Sequence, residues 1–209
     1  MKEQIIQQGA EAVLIKKGNA LLKRRTAKGY RLKVLDDKLR GMRTRKEAKL
    51  IEKAGKLINV PGMIKVNDKE MEIEMDFVEG KKLSESLDGM KNWEEVCLEI
   101  GRSIGKLHDA GIIHGDLTTS NLIWSSDVGD EKKGKLYFID FGLGFENGKT
   151  EDKAVDLHLI KQALEAKHFL HFDKFFKAVL KGYESSKGYK EVMKRFEKVE
   201  KRGRYKNNY

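Results

Sequence analysis

The 209-residue sequence is poor in cysteine, proline and tryptophan, with one, one and two of each. A lone Cys97 cannot close an internal disulfide, which excludes the disulfide-stapled secreted class, and the thiol is expected in a helix core. No apolar run has the length of a membrane span or the form of a secretory leader, so a cytoplasmic protein without membrane contact is expected. Internal repeats, low-complexity tracts and histidine or cysteine clusters at metal-site spacing are all absent. A chain of this size buries on the order of 70% of its unfolded surface, so folding needs neither staple nor metal.

Charge is plentiful and uneven. The formal net charge is +10, and between Lys16 and Lys56 there are 16 Lys and Arg against 4 Asp and Glu, an excess of +12 that leaves −2 for the rest. Such an excess suits either a solvated helix face or a phosphate-rich macromolecule or acidic partner.

The most informative stretch is Ile113-His114-Gly115-Asp116-Leu117-Thr118-Thr119-Ser120-Asn121, followed by Phe138-Ile139-Asp140-Phe141-Gly142. Phosphoryl transfer from a nucleotide is mainly positioning and charge neutralisation, and needs a carboxylate for the attacking hydroxyl and oxygen ligands for magnesium on separate segments. In the kinase template Asp116 orients the nucleophile, while Asn121 and Asp140 ligate the metal that bridges the phosphates. Either motif alone is weak; their order, and the apolar runs Leu122-Ile123-Trp124 and Leu136-Tyr137-Phe138-Ile139 beside them, make a polar turn between buried strands the poorer explanation. ATP and Mg2+ are the implied cofactors.

Upstream, strands are expected through Ile5 to Gln8 and Ala12 to Ile15, then a Gly18-Asn19 hairpin into Ala20-Leu21-Leu22-Lys23. Lys23 is the candidate for the phosphate-reaching lysine of V-A-I-K, with Arg24 and Arg25 as poorer competitors because a planar fork is not a point charge. Backbone amides of Gly9, Ala10, Glu11 and Ala12 could cradle phosphate, although G-A-E-A is not G-x-G-x-x-G. Thr44 reads as an N-cap with Glu47 as capping-box partner, opening a helix to Lys53 or Gly55. Glu47 is the candidate partner of Lys23, with Glu52 as substitute. After the turn holding Pro61, Met63 to Val66 and Met71 to Met75 alternate as a second hairpin around Asn67-Asp68. Met75, Asp76 and Val78 occupy the place of a kinase hinge, as gatekeeper and as carbonyl and amide contacts to the base.

The expectation is an α+β, protein-kinase-like bilobal domain over residues 1–209. It has a five-stranded antiparallel N-lobe sheet plus helix to about residue 78, and a reduced, mainly helical C-lobe from 79 with a basic tail at 201–209. Trp93 to Ala110, with Val96, Ile100, Ile104 and Leu107 on one face and Gly111 beyond its end, is the clearest helix. Others are expected over Asp152 to Lys167, Phe172 to Tyr183 and Tyr189 to Lys201, and a polar loop over Asp127 to Gly134. His108 reads as structural and His114 as an orienter of the loop. Protein kinases place an activation loop and A-P-E after D-F-G; here Gly142 leads almost directly to Glu151-Asp152-Lys153-Ala154-Val155-Asp156-Leu157. With Gly115 before Asp116 instead of arginine, no cation stands ready to read a phosphorylated loop, so regulation is expected from elsewhere, such as a partner.

The segment His114 to Asn121, with Gln8-Gly9-Ala10-Glu11-Ala12, the insert Lys28-Gly29-Tyr30-Arg31 with Leu35-Asp36, Glu151 to Leu157, and Arg202-Gly203-Arg204, resembles the small atypical kinase/ATPase subunit of the KEOPS complex, related to the RIO kinases. That resemblance spans essentially the whole chain. It implies an autophosphorylating, ATP-hydrolysing serine/threonine kinase that supports threonylcarbamoyladenosine formation on tRNA. It also implies as partners a tRNA-threonylcarbamoyl transferase subunit and a further small KEOPS subunit, with tRNA contact through the basic surface, and has Asp156 brace the catalytic-loop backbone. Two other classes remain: a small-molecule kinase of aminoglycoside-phosphotransferase type, and a non-catalytic, nucleotide-dependent RNA scaffold. The residues alone do not choose the phosphoryl acceptor.

Overall fold

The computed structural model describes residues 3–126 and 134–204, with side chains to residue 202. The polar loop expected at 127–133 and the end of the basic tail lie outside the described residues.

Strands β1 (Glu3–Gln8), β2 (Ala12–Lys17), β3 (Ala20–Arg25), β4 (Met63–Asn67) and β5 (Glu72–Asp76) form one antiparallel sheet in the order β1-β2-β3-β5-β4. Helix α1 (Lys33–Ala54) packs on that sheet and places Ala48, Ile51 and Ala54 in the core. The five-stranded sheet plus helix is therefore as the alternation predicted. Gly18, at φ 60°, makes the β2–β3 turn that only a residue tolerant of the left-handed region closes without strain.

The start of α1 corrects the sequence reading. Thr44 is not a cap but lies mid-helix, its hydroxyl donating to the Arg40 carbonyl at 2.9 Å, and Glu47 is no capping-box partner. The helix begins at Lys33 because buried Asp36 organises the preceding turn: it accepts from Lys28 N at 3.4 Å and Arg40 Nε at 2.7 Å. The helix buries Asp36, Gly41, Thr44 and Glu47 as well as apolar residues, so its first half carries no amphipathic stripe for a sequence reader to find.

A second, smaller sheet joins β6 (Lys81–Lys82), β7 (Leu122–Ser126) and β8 (Gly134–Phe138) in that order; β6 was not anticipated. A short α2 (Leu83–Ser86) follows β6, and α3 (Trp93–Asp109) leads into the segment Ile113 to Asn121. Helix α3 ends in a paired cap, Ile112 N donating to Leu107 O at 2.9 Å and Gly111 N to His108 O at 3.0 Å, with Gly111 at φ 73°. Cys97 is fully buried on this helix, and burial pushes its thiol up to about 12, an inert core group.

Helices α4 (Thr150–Lys167), α5 (Phe172–Tyr183) and α6 (Tyr189–Arg204) complete the lower part. Helix α4 starts two residues earlier than expected because Asp152 accepts from Lys149 N at 2.8 Å. Helix α6 continues through 201–204, which the sequence had assigned to the tail. Helices α3 and α5 approach closely enough that a Cβ on Gly101 would stand 1.9 Å from Val179 O, and one on Gly182 2.0 Å from Leu98 O.

Candidate active site

Lys23 and Arg25 are two apart on β3, so both project from the same face of the strand toward α1. Lys23 Nζ lies 2.6 Å from Glu47 Oε1 and 2.7 Å from Asp140 Oδ1; Arg25 Nη2 bonds the other Glu47 oxygen. Glu47 is 2% exposed, so its ion pairs are buried and not surface contacts. Burial would lower the Lys23 ammonium, but Glu47 and Asp140 outweigh it and hold the pKa above the ordinary lysine value. The converse holds at Asp140, where burial would raise the carboxyl and Lys23 with the Gly142 amide carries it below the usual range. Of the competing residues, Arg24 faces Glu72 at 2.9 Å and Glu52 is exposed, so neither joins the cluster.

Asp140 sits at φ 62°, a left-handed conformation that costs a non-glycine residue free energy and aims its carboxylate inward. Opposite, Asn121 Nδ2 donates to the Asp116 carbonyl and to Asp116 Oδ2, both at 2.9 Å. With the amide nitrogen committed, the metal-ligating capacity of Asn121 rests on its carbonyl oxygen. Asp140 and Asn121 thus supply two hard oxygen donors from separate segments, a set that fits magnesium.

His114 joins those segments. It is fully buried, its Nε2 donates to Ile139 O at 3.1 Å, and its Nδ1 accepts from Asp116 N at 3.3 Å, an arrangement that requires the neutral ring. Burial holds its pKa below the ordinary histidine value against the pull of the nearby carboxylates, Asp156 foremost. From below, Asp156 accepts from His114 N at 2.8 Å and Gly115 N at 2.9 Å, and is itself 1% exposed. His108, structural as expected, lies 3.4 Å from Asp156 Oδ2 and 2.9 Å from the Tyr183 hydroxyl. The sequence gives no sign of Tyr183 in this network, since it comes from a helix 75 residues away.

Gly115 stands where an arginine is common because nothing larger fits. It is at φ 78°, and a Cβ there would meet Leu143 O at 2.6 Å. Residues 143–149 lead straight to α4, pinned by the two-way bridge between Ile113 and Phe145 at 2.9 and 3.0 Å.

A cleft of about 370 Å³ lies between the sheet and this loop. Met75, Asp76 and Val78 line it, as do Lys23, Glu47, Asn121 and Asp140. Its apolar walls, Leu14, Leu21, Ile123 and Ile139, suit a planar base, a role the sequence did not assign to these residues. Gly9, Ala10, Glu11 and Ala12 are not brought into the lining; Ile6 and Gln7 reach it instead, and the Gly9 amide donates to Ala12 O at 2.9 Å.

Sheet, helix and cleft together define a protein-kinase-like fold with its lysine, helix glutamate and metal-type aspartate assembled. The chain belongs to the RIO domain family, whose model matches residues 19–153, and within it to the group of Bud32 atypical serine/threonine kinases. It is 43% identical over 192 residues to the KEOPS complex subunit Bud32 of Pyrococcus abyssi, covering 89% of this chain and 84% of that protein. It is 38% identical over 197 residues to a probable serine/threonine-protein kinase BUD32 homolog of Archaeoglobus fulgidus, covering 94% of each. A probable bifunctional tRNA threonylcarbamoyladenosine biosynthesis protein of Methanobrevibacter smithii is 37% identical over 98% of this chain, which spans only 37% of that longer protein. Among solved structures, the Rio2 kinase ADP/Mg2+-phosphoaspartate complex from Chaetomium thermophilum superposes with TM-score 0.64 at 17% identity, over 98% of this chain and 71% of that one. WaaP in complex with acyl carrier protein gives TM-score 0.57 at 12% identity, over 96% and 88%. The family resemblance and the kinase-like fold expected from the sequence are borne out. Among the described residues, no helix is long and apolar enough to cross a membrane.

Proposed function

We propose that the cleft binds magnesium-ATP and that the chain acts as an atypical serine/threonine kinase and ATPase in the cytoplasm. The observation that carries the reading is the contact set of Lys23, Glu47 and Asp140 lining one cleft with Asn121, whose amide holds Asp116, itself outside the lining, at 2.9 Å. In this reading Met75, Asp76 and Val78 border the base, Lys23 meets the phosphates, and Asp140 and Asn121 hold the metal. Bound magnesium would neutralise phosphate charge. Asp116 orients the attacking hydroxyl or water, and its bond to Asn121 fixes it beside the metal-binding side chain.

The relatives carry the reading into an assembly. One is named as a KEOPS subunit, and others are bifunctional threonylcarbamoyladenosine proteins in which the matching region makes up about a third of the chain. In this reading the direct partner is a tRNA-threonylcarbamoyl transferase subunit, with a further small KEOPS subunit and tRNA contact through basic surface; the bifunctional nature of those longer proteins supports a partner in the same modification. The same identities weigh against the small-molecule kinase, and the intact Lys23, Asp116, Asn121 and Asp140 against an inactive scaffold.

The test is radiolabelled ATP given to the protein alone, with KEOPS partners and with tRNA, following protein label and free phosphate together. Asp116→Asn is expected to keep nucleotide affinity and lose about 10² or more in turnover, the range for a general base. Turnover unchanged in that variant removes Asp116 from the mechanism.

A further inference from the structure

Glu47 is held by two cations, and the kinase arrangement needs only one. Lys23 takes Oε1 at 2.6 Å and Arg25 takes Oε2, both from β3. The Arg25 and Glu47 side chains are 6% and 1% exposed, so this is not a solvent-screened surface pair. The Arg25 Nε is buried without a partner among the described residues, a cost the fold carries to keep the guanidinium there. The pair also borders the metal-ligand turn. A Cβ on Gly142 would stand 3.6 Å from both Arg25 Nη2 and Glu47 Oε2, and the Gly142 amide bonds Asp140 Oδ1 at 3.1 Å. The backbone of Arg25 is tied to the same helix, its carbonyl accepting from Arg40 Nη1 at 3.3 Å.

The geometry points to Arg25 as a positioning residue that occupies one oxygen of Glu47 and so keeps Lys23 shared with the cleft instead of sequestered by the helix; this rests on the magnesium-ATP reading above. A carboxylate with both oxygens free binds one ammonium with its whole charge. With Oε2 given to Arg25, the hold of Glu47 on Lys23 is weakened, and Nζ remains available to Asp140 and to incoming phosphate oxygens. Lysine and arginine divide the work by shape. The compact ammonium can move to a phosphate, while the planar fork stays fixed on Oε2. Arg25 also keeps α1 docked on β3 when Lys23 turns toward the nucleotide, so the helix position does not depend on Lys23 alone.

The test is a double-mutant cycle with Arg25→Met, Glu47→Gln and the pair, reading KM and kcat for ATP hydrolysis and magnesium-ADP affinity by calorimetry. Arg25→Met is expected to raise KM and the ADP Kd by about tenfold, within the range of coupling between residues in contact, with a smaller change in kcat. In the Glu47→Gln background the same change should have almost no effect, and Arg25→Lys should recover part of the loss. A merely structural role predicts the reverse split: fewer active molecules, hence lower kcat at unchanged KM, and losses that follow melting temperature in both backgrounds. That result, or full additivity, overturns the inference. If Arg25→Met does not fold, Arg25→Lys and Arg25→Gln carry the same comparison. A wild-type protein that neither binds nor hydrolyses magnesium-ATP overturns the phosphotransferase reading and this inference with it. A wild type that does both while the Arg25 variants match it overturns the inference alone.

Discussion

Lys23 Nζ stands 2.7 Å from Asp140 Oδ1, on the carboxylate that a metal would claim. In the proposed reading a metal ion would compete with Lys23 for Asp140 until phosphate oxygens drew the lysine away. Asp140 is about half exposed, with a side-chain exposure of 47%, so the pair is partly screened and the exchange is easy.

Replacing Lys23 with Met should accordingly have opposite effects on metal and chemistry. Binding of Mn2+ as a probe, without nucleotide, is expected to tighten severalfold because a repelling cation has gone, while ATP turnover falls by about 10² or more. Electron spin resonance of free Mn2+ and a phosphate-release assay give the two numbers. Weaker metal binding in Lys23→Met would show that Asp140 is not the ligand.

Asp156 supports the loop from outside the cleft. Removing its carboxylate leaves the His114 and Gly115 amides unpaired in the interior, at about 1–3 kcal/mol each. Asp156→Ala should thus lower the urea midpoint more than Asp156→Asn, which keeps one acceptor. Because Asp156 does not line the cleft, nucleotide affinity of the folded protein should change less than kcat. An Asp156→Ala protein as stable as wild type would mean that water replaces the carboxylate.

The parts of this site that were legible in the sequence are those fixed by local spacing. Asp116 and Asn121 share one short loop, Asp140 follows an apolar strand, and Val96, Ile100, Ile104 and Leu107 repeat at helical period, so their placement needs no tertiary information. The first half of α1 escaped for a physical reason: it is held by Asp36, Arg31 and Arg40 in ion pairs, which leave no hydrophobic pattern. Arg25 was seen only as a rival of Lys23, yet the i, i+2 relation on a strand already placed both on one face. The cleft walls were unreadable because a base is held by shape and backbone. Glycines were half legible: Gly111 as a cap, but Gly115 only once Leu143 O was found against it.

Stability should depend on pH through His114. Its folded pKa is depressed by burial, so the unfolded chain binds more protons and stability rises with pH across the window below the ordinary histidine value. Acidification from about pH 7 to about pH 5 should then cost about 1.4 kcal/mol for each unit separating the two pKa values. Protonation also places a donor against the Asp116 amide, so the catalytic loop should be the first part to lose protection in hydrogen exchange. His114→Gln should flatten this part of the profile, and an equal slope in both proteins would assign the dependence to other groups.

The tRNA contact proposed above is best sought where basic charge is not already neutralised. Arg40 is bonded to Asp36 and Asp37 at 2.7 and 2.6 Å, Arg43 to Glu11 at 2.9 Å and Arg45 to Asp68 at 3.0 Å, so the basic segment seen in the sequence presents many paired charges. Along α6, Lys190, Lys194, Lys198 and Lys201 are exposed and stand in no ion pair among the described residues. At about 100° per residue they fall within one sector of about 80°, opposite Val192 and Phe196 in the core. Unpaired cations release counterions when they meet phosphate, and each such contact adds about −0.7 to −0.9 to the slope of log affinity against log salt. Reversing the four lysines to Glu is therefore expected to weaken tRNA binding and flatten the salt slope. Reversing Arg40, Arg43 and Arg45 should chiefly lower stability, since it sets like charges against Asp36, Asp37, Glu11 and Asp68. Filter binding across a salt series, alone and with KEOPS partners, separates the two. Equal loss from both sets would return the footprint to α1, and no association near about 0.15 M salt, where phosphate contacts still act at short range, would remove RNA contact from the reading.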